Sequence, residues 1–248
     1  FLARIATTDK QSQLVWKGGS LVLRQYTAMA KPRFTSDIDL LARGMAIESA
    51  EELIRNATEI DLKDGFAFRN VRRTEMGRET PYGGYRFEIS WEFQKKPQSE
   101  PLRIDLCAGD DVEPEKIHLR DVYLLDDPND ALSFSVYPPE YIFAEKLETL
   151  VRFGTGNTRL KDLIDLWNFI QLDSKRFSKK KCEAAIPRCF TRRKTPLASS
   201  AWIEVLQDPE FQEIMEEARI RNFGGLPTPT IQKMFEEIEA YLSELKLP

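Results

Sequence analysis

Two aspartates one residue apart, Asp37 and Asp39, stand in the run Arg33-Phe34-Thr35-Ser36-Asp37-Ile38-Asp39-Leu40, and a third, Asp105, stands in Arg103-Ile104-Asp105-Leu106. In an extended chain, residues two apart project from the same face, ~7 Å apart at their Cα atoms. Asp37 and Asp39 therefore point together while Ile38 and Leu40 point into a core. Asp105 lies between Ile104 and Leu106 in the same alternation, so all three acids share one face if their strands are neighbours. Three crowded carboxylates repel one another unless a cation sits between them. Magnesium meets that need: it takes oxygen ligands, and two such ions ~4 Å apart activate an attacking oxygen and steady a leaving one. A D-x-D pair alone is common at surface strand ends, so its context decides its meaning.

That context begins upstream, at Lys17-Gly18-Gly19-Ser20, directly before the apolar Leu21, Val22 and Leu23. Glycines let backbone approach a phosphate closely. Amides at a helix start attract phosphate, and the Ser20 hydroxyl adds a further donor. Taken alone, the same residues are a turn followed by an N-cap. Arg33, four residues before Asp37, either reaches a phosphate or braces the acids, or is a loop-surface arginine.

The elements that must position these residues follow from periodicity. A short strand or approach from Leu14, the glycine turn, a helix near Ser20 to Ala28 and a strand from Asp37 to Leu41 come first. Ala46 to Ile60 places Ile47, Ala50, Leu53, Ile54 and Ala57 at helical spacing. The period then becomes two: Tyr85, Phe87, Ile89, Trp91 and Phe93 alternate with Arg86, Glu88, Ser90 and Glu92, as a strand with one buried face requires. Gly83 and Gly84 supply the turn before it, Phe66 to Thr74 is its expected partner, and Leu102 to Leu106 is a third strand. Lys116 to Leu125 reads as a strand or extended arm containing the single His118. After Pro138 and Pro139 the pattern is helical, over Glu140–Phe153, Thr158–Ile170, Lys179–Cys189, Ala198–Leu206, Glu210–Arg219 and Ile231–Leu245. Trp91, Trp167 and Trp202 fall at core periods.

Within the helical part, Lys146 falls among Ile142, Phe143 and Leu150, inside an apolar face. An unpaired buried ammonium costs several kcal/mol. It therefore needs an anion, either a triphosphate or active-site carboxylate or else a core acid. On the next helix, Leu160, Leu163, Ile164, Trp167 and Ile170 form the apolar stripe. Asp165 then lies nearly opposite that stripe and Asp162 near its border, which favours Asp162 as a site residue. Asp162 either orients an acceptor hydroxyl or a metal-bound water, or pairs with Lys161 or Arg159 on a wet surface.

The chain has 248 residues, 42% of them hydrophobic, enough for one large domain or two small ones. No apolar run approaches the ~20 residues that span a bilayer, and the first residues lack a signal-peptide layout; a cytoplasmic protein is expected. Cys107, Cys182 and Cys189 lack CxxC spacing, and with one histidine they offer no zinc site. The net charge of -4 is unevenly spread. From Lys175 to Lys194, the cations Lys175, Arg176, Lys179, Lys180, Lys181, Arg188, Arg192, Arg193 and Lys194 are opposed by Glu183 alone. Such a cluster either neutralises nucleic-acid phosphates, with Lys179, Lys180, Lys181, Arg192 and Arg193 as contacts, or is a solvated basic face.

Taken in order, Lys17–Leu21, Arg33–Leu40 and Arg103–Leu106 resemble the strand-turn-helix and triple-acid pattern of DNA polymerase β-like nucleotidyltransferases. The likeness is to the AbiEii/AbiGii toxin family. Its later lysine and KD-x-x-D-L run look like Glu145-Lys146-Leu147 and Arg159–Leu166 here. The resemblance implies an α+β fold: a nucleotidyltransferase core with a mixed sheet over 1–137 and a helical C-terminal domain over 138–248, with the active cleft between. It implies a bacterial toxin of a toxin–antitoxin or phage-defence pair, with a cognate antitoxin, that moves NMP from an NTP to an RNA acceptor, the 3′ end of tRNA in related members. Carried onto this chain, Gly19 and Ser20 grip phosphate, and with the residue reading above Lys17, Gly18, Arg33 and Lys146 join them as expected nucleotide contacts. Asp37, Asp39 and Asp105 hold Mg²⁺, two ions being expected, and Asp39, Lys146 and Asp162 are catalytic. Transfer to a small molecule or protein side chain, or a silent binding module of the same fold, are the competing expectations.

Overall fold

The computed structural model of the chain describes residues 1–22, 26, 37–76, 84–109, 112–118, 132–157, 159–223 and 229–248. They fall into two compact units, Phe1–Gln25 with Phe34–Pro138, and Tyr26–Arg33 with Pro139–Pro248.

The first unit is built on one sheet. Its strands are β1 (Leu14–Lys17), β2 (Asp37–Ala42), β3 (Phe66–Met76), β4 (Gly84–Phe93), β5 (Lys96–Pro97), β6 (Leu102–Ala108), β7 (Glu115–His118) and β8 (Ser133–Val136). They run in the order β3-β4-β6-β2-β1-β8-β7, with β5 on β4. The sheet is mixed: β2 pairs parallel with β6 and β1 parallel with β8, whereas the other neighbours are antiparallel. Strict alternation gives it an apolar face on which Leu14, Trp16, Leu40, Phe87, Ile89, Ile104 and Leu106 are all buried. The expected strands are present, longer by a few residues, and Gly84 opens β4 rather than forming a turn. The expected arm from Lys116 is a strand only as far as His118; residues 119–131 lie outside the described set.

Helix α1 (Leu2–Thr8) and strand β8 have no counterpart in the sequence reading. Helix α2 (Gly18–Leu21) starts at the glycines, two residues earlier than expected, and α3 (Ile47–Thr58) buries Ala50, Ile54 and Ala57 as its spacing requires. Helix α1 packs against α3 and β8, and one side chain ties it down. Arg4, 1% exposed, donates to both oxygens of Asp64 at 2.8 and 2.7 Å and to the carbonyls of Ile60 and Phe66 at 2.9 and 2.8 Å. A buried guanidinium is tolerable because nearly every donor is used.

The second unit is helical: α4 (Pro139–Phe153), a 3-10 turn over Gly154–Gly156, α5 (Leu160–Ile170), α6 (Lys179–Arg193), α7 (Ser199–Gln207), α8 (Pro209–Phe223) and α9 (Ile231–Ser243). The rings of Phe143, Phe169, Phe177 and Tyr241 form its aromatic centre, with centroid separations from 5.3 to 6.4 Å. Among the described residues no helix is long and apolar enough to cross a membrane.

Replacing Arg4 by Met should lower the stability of the sheet unit by about 2–4 kcal/mol, because it strands Asp64 and two carbonyls. Urea unfolding followed by tryptophan fluorescence measures this; a midpoint within error of the unmodified protein would show that Arg4 is not an anchor.

Candidate active site

The acids converge through strand register. Asp39 on β2 lies opposite Asp105 on β6, Asp105 opposite Arg86 on β4, and Asp39 opposite Lys17 on β1. Cross-strand partners share a face, so one row across four strands reads Arg86, Asp105, Asp39, Lys17. Asp37, two residues before Asp39, stands on the same face beside Arg103. The expected convergence of Asp37, Asp39 and Asp105 is therefore present.

The glycine turn meets this row directly. Gly18 has φ of +72°, and a Cβ built on it would fall 1.9 Å from Asp39 Oδ2 and 2.7 Å from Asp39 Cβ. Only glycine permits both the left-handed backbone and this approach. The next residues carry the turn into α2, where Ser20 Oγ accepts from Trp16 Nε1 at 2.9 Å. That bond fixes the hydroxyl as an acceptor towards the indole and leaves its proton to point elsewhere. Lys17 is 8% exposed, with Nζ 4.4 Å from the Tyr137 ring centroid. Arg33, expected at this site, lies outside the described residues.

Asp105 has a cationic partner in the sheet. Arg86 donates to both of its oxygens, Nε to Oδ1 and Nη2 to Oδ2, each at 2.7 Å, and Nη2 is 4.0 Å from Asp37 Oδ2. The two hydrogen bonds to Asp105 raise the guanidinium's pKa above its ordinary value. Among the described residues no group of three or more His, Cys, Asp and Glu is arranged to hold a metal ion. Arg86 is the residue that sequence reasoning missed. It sat on the polar side of an alternating strand, and only the pairing of β4 with β6 gives it a role.

The donor set at Asp37 and Asp39 is purely carboxylate oxygen, which fits a hard cation such as Mg²⁺. A backbone turn that touches Asp39 fits a ligand carrying phosphate beside that cation.

In the helical unit, Lys146 on α4 bonds Asp162 at 2.6 Å and Asp165 at 2.8 Å, both on α5. Its counter-ions in the structure are Asp162, the expected site residue, and Asp165. Asp165, expected opposite the buried stripe, is 0% exposed, and Asp162 is 6% exposed. The reason is that α5 is covered by α4, α8 and α9, so its buried surface extends well beyond the leucine stripe, while Lys161 is exposed. Burial pushes the Asp162 carboxyl up, but Lys146, together with the charges of Arg159 and Lys161, holds it below its ordinary 3.8. Burial likewise opposes the Lys146 charge, and the two aspartates outweigh it, leaving the ammonium above its ordinary 10.5. This lysine stays protonated and is no general base.

The basic cluster divides. Lys179, Lys180 and Lys181 form the exposed first turn of α6, and Arg192 is exposed near its end. Lys179 also pairs with Glu244. Arg193, expected as a nucleic-acid contact, turns inward, 13% exposed, to Glu145 at 3.2 Å and Glu148 at 2.9 Å. Glu148 is fully buried and also accepts from Arg152 and Thr195. Arg193 is thus a counter-ion of the core.

A mixed sheet that gathers aspartates on one face beside a glycine turn, joined to a helical unit, is the arrangement of a nucleotidyltransferase. The sequence pattern of the family described as "Nucleotidyl transferase AbiEii toxin, Type IV TA system" matches residues 1–242, and the chain belongs to that family. Membership implies a nucleotide substrate and an antitoxin partner. No curated protein matches the chain. Among solved structures it is similar to JHP933 from Helicobacter pylori, at 12% identity and a TM-score of 0.57, covering 98% of this chain and 87% of that one. It is also similar to a candidate nucleotidyltransferase from H. pylori, at 14% identity and a TM-score of 0.50, covering 100% and 95%. Both likenesses are of fold.

Two outcomes follow from the geometry. Gly18→Ala should displace the Asp39 carboxylate and reduce nucleotidyl transfer by at least ~100-fold, since a shift of ~1 Å in a catalytic group has that effect; unchanged turnover would show that the close approach is dispensable. Lys146→Met should cost about 3–5 kcal/mol by stranding two buried carboxylates. Because folding lowers the Asp162 pKa, its contribution is complete above 3.8 and is lost as pH falls through the depressed value. Because folding raises the Lys146 pKa, that share is complete below 10.5 and is lost as pH rises through the raised value. Urea unfolding of the two proteins should therefore show a gap that is full near neutral pH and shrinks as pH falls, beginning above 3.8 because burial raises the Asp162 carboxyl once Lys146 is gone.

Proposed function

We propose that this chain transfers a nucleoside monophosphate from an NTP to the 3′ end of an RNA, with tRNA as the acceptor, in a Mg²⁺-dependent reaction in the cytoplasm. The observation that carries the reading is the contact of the Gly18 turn with Asp39: a glycine turn without side chains and a carboxylate suited to a cation lie against each other. Gly18 and Gly19 offer backbone to the triphosphate, and Ser20, its oxygen already accepting from Trp16, donates its proton to a phosphate oxygen. Asp37 and Asp39 would hold Mg²⁺, whose charge offsets that of the triphosphate when it is bound. The acceptor hydroxyl attacks the α-phosphate in line. A bond from its oxygen to phosphorus forms as the hydroxyl proton passes to solvent water, the bond from phosphorus to the pyrophosphate oxygen breaks, and pyrophosphate leaves with that electron pair. Positioning and fixed charge do most of the work. Lys146 and Asp162 enter this reading as the family's later motif positions; the partners they show are each other and Asp165.

The RNA acceptor is supported by the first turn of α6. Three consecutive lysines stand at a helix N-terminus, where the macrodipole disfavours cations by a few tenths of a kcal/mol each. No acid shares that turn. An arrangement unfavourable in the free protein gains its use when a polyanion lies against it.

Incubation with each α-³²P NTP, Mg²⁺ and total tRNA should label tRNA from one NTP, and the Asp39→Ala variant should not. Label on protein would move the acceptor to a side chain. No label on any polymer would leave a small-molecule acceptor or a silent fold. Changing Lys179, Lys180 and Lys181 together to Glu should weaken tRNA labelling and lower the slope of log activity against log salt by roughly 2, at about 0.7 per phosphate contact. An unchanged slope would remove the support for RNA.

A further inference from the structure

We infer that Arg72, turned onto the active face by a bulge in β3, binds a backbone phosphate of the RNA acceptor, on the stretch that leads to the reacting end. The inference rests on the RNA reading above and deepens it.

The bulge lies between two register pairs. Arg69 on β3 stands opposite Ser90 on β4, and Arg72 opposite Glu88, so three steps along β3 match two along β4. Asn70, inside the bulge, has a φ of +57°, a left-handed backbone that asparagine adopts more readily than most side chains. Because the side-chain period of a strand is two, the extra residue changes the phase of everything after it. A regular strand with Phe66 and Phe68 on the apolar side would send Arg72 to that side as well. With the bulge, Arg73 takes that side, opposite the buried Phe87, and bonds Glu51 of α3 at 2.5 Å. Arg55 of α3 donates to the Val71 carbonyl at 3.3 Å, so α3 ties down the bulge from the helix side.

Arg72 thereby joins a row on the active face. Arg72, Glu88, Arg103 and Asp37 stand each opposite the next on β3, β4, β6 and β2. Glu88 is drawn to Arg103, at 3.6 Å. Arg72 is exposed on the outermost strand, and among the described residues it makes no ion pair or hydrogen bond. Three strand spacings of ~4.8 Å put it about 14 Å from Asp37. A small-molecule acceptor at the acids leaves that margin of the sheet uncovered, whereas a polynucleotide with its 3′ end there carries further phosphates across it. A guanidinium holds phosphate with direction as well as charge. Protecting a sheet edge from unwanted pairing calls for a bulge and a charge, but not for a charge on the face of the acids.

Anisotropy of fluorescein-labelled tRNA added to the nucleotide-free protein, with steady-state labelling of tRNA alongside, tests this. Arg72→Gln should weaken tRNA binding about tenfold, lower the slope of log affinity against log salt by roughly 0.7, and leave the KM for NTP unchanged. Arg72→Lys, which keeps the charge, should restore the slope. Arg73→Gln, one residue on and turned to α3, should keep tRNA affinity within about twofold, as expected of a side chain on the other face. Equal tRNA affinity and slope for Arg72→Gln and the unmodified protein, or a raised KM for NTP in place of weaker tRNA binding, would overturn the inference and leave the RNA reading standing. An unmodified protein that neither binds nor labels tRNA would remove the RNA reading itself, and the inference with it.

Discussion

The pairing of β2 with β6 is the constraint on which the active face depends. The two strands are far apart in sequence and run parallel, and the side-chain period of a strand is two. A slip of one residue in that register would send Asp105 to the apolar side and bring Ile104 or Leu106 out among the acids. The apolar residues on the opposite face enforce the register, since Leu40, Ile104, Leu106 and Phe87 are all buried there. Hydrophobic burial on one face of the sheet thus fixes the position of carboxylates on the other. The short β1, flanked by β2 and β8, delivers the glycine turn to the same row.

Crowded or buried acids recur in both units, and each cluster is neutralised in the same way, by a cation from a different element. In the sheet unit, Arg86 answers Asp105. In the helical unit, Lys146 on α4 answers Asp162 and Asp165 on α5, and Arg193 on α6 answers Glu145 and Glu148 on α4. These pairs do not by themselves raise stability much, because desolvation offsets most of the attraction. What they do is penalise every arrangement in which one partner is buried alone. The thiol of Cys182, pushed up to about 12 by burial, accepts from the Tyr241 hydroxyl at 3.4 Å and belongs to this packed interior.

Much of this was legible beforehand, and the misses share a cause. Alternation located β4 and β6, and the spacing of three and four located α3 to α9, because each of these signals is local. The helical wheel misplaced Asp165 because it assumes one buried face, whereas α5 has neighbours on several sides and buries Asp162, Asp165 and Asn168 as well as its leucines. Counting charges along the chain placed Arg193 with the surface cations, although its partner lies 45 residues away on α4. Arg86 went unremarked for the same reason. A salt bridge between strands is a fact about topology, and no window of sequence contains it. Helix α1 was missed because it buries two apolar residues, Leu2 and Ile5, beside Arg4, too short a stripe to show a period.

The β3–β4 hairpin carries a different implication. Its strands span Phe66–Met76 and Gly84–Phe93, yet β6 pairs with β4 only from Tyr85 to Ile89. Beyond Ile89 the hairpin is bordered by itself and the two-residue β5, with Phe66 and Phe93 exposed at 37% and 38%. Evolution meets two regimes in one sheet. An insertion of a single residue in β2 or β6 turns the acids inward and ends activity, whereas changes in the outer half of the hairpin, beyond the Arg4 contacts at Asp64 and Phe66, leave the register of Asp37, Asp39 and Asp105 in place. Divergence among descendants of this chain should collect in that arm, away from the register that sets the acids.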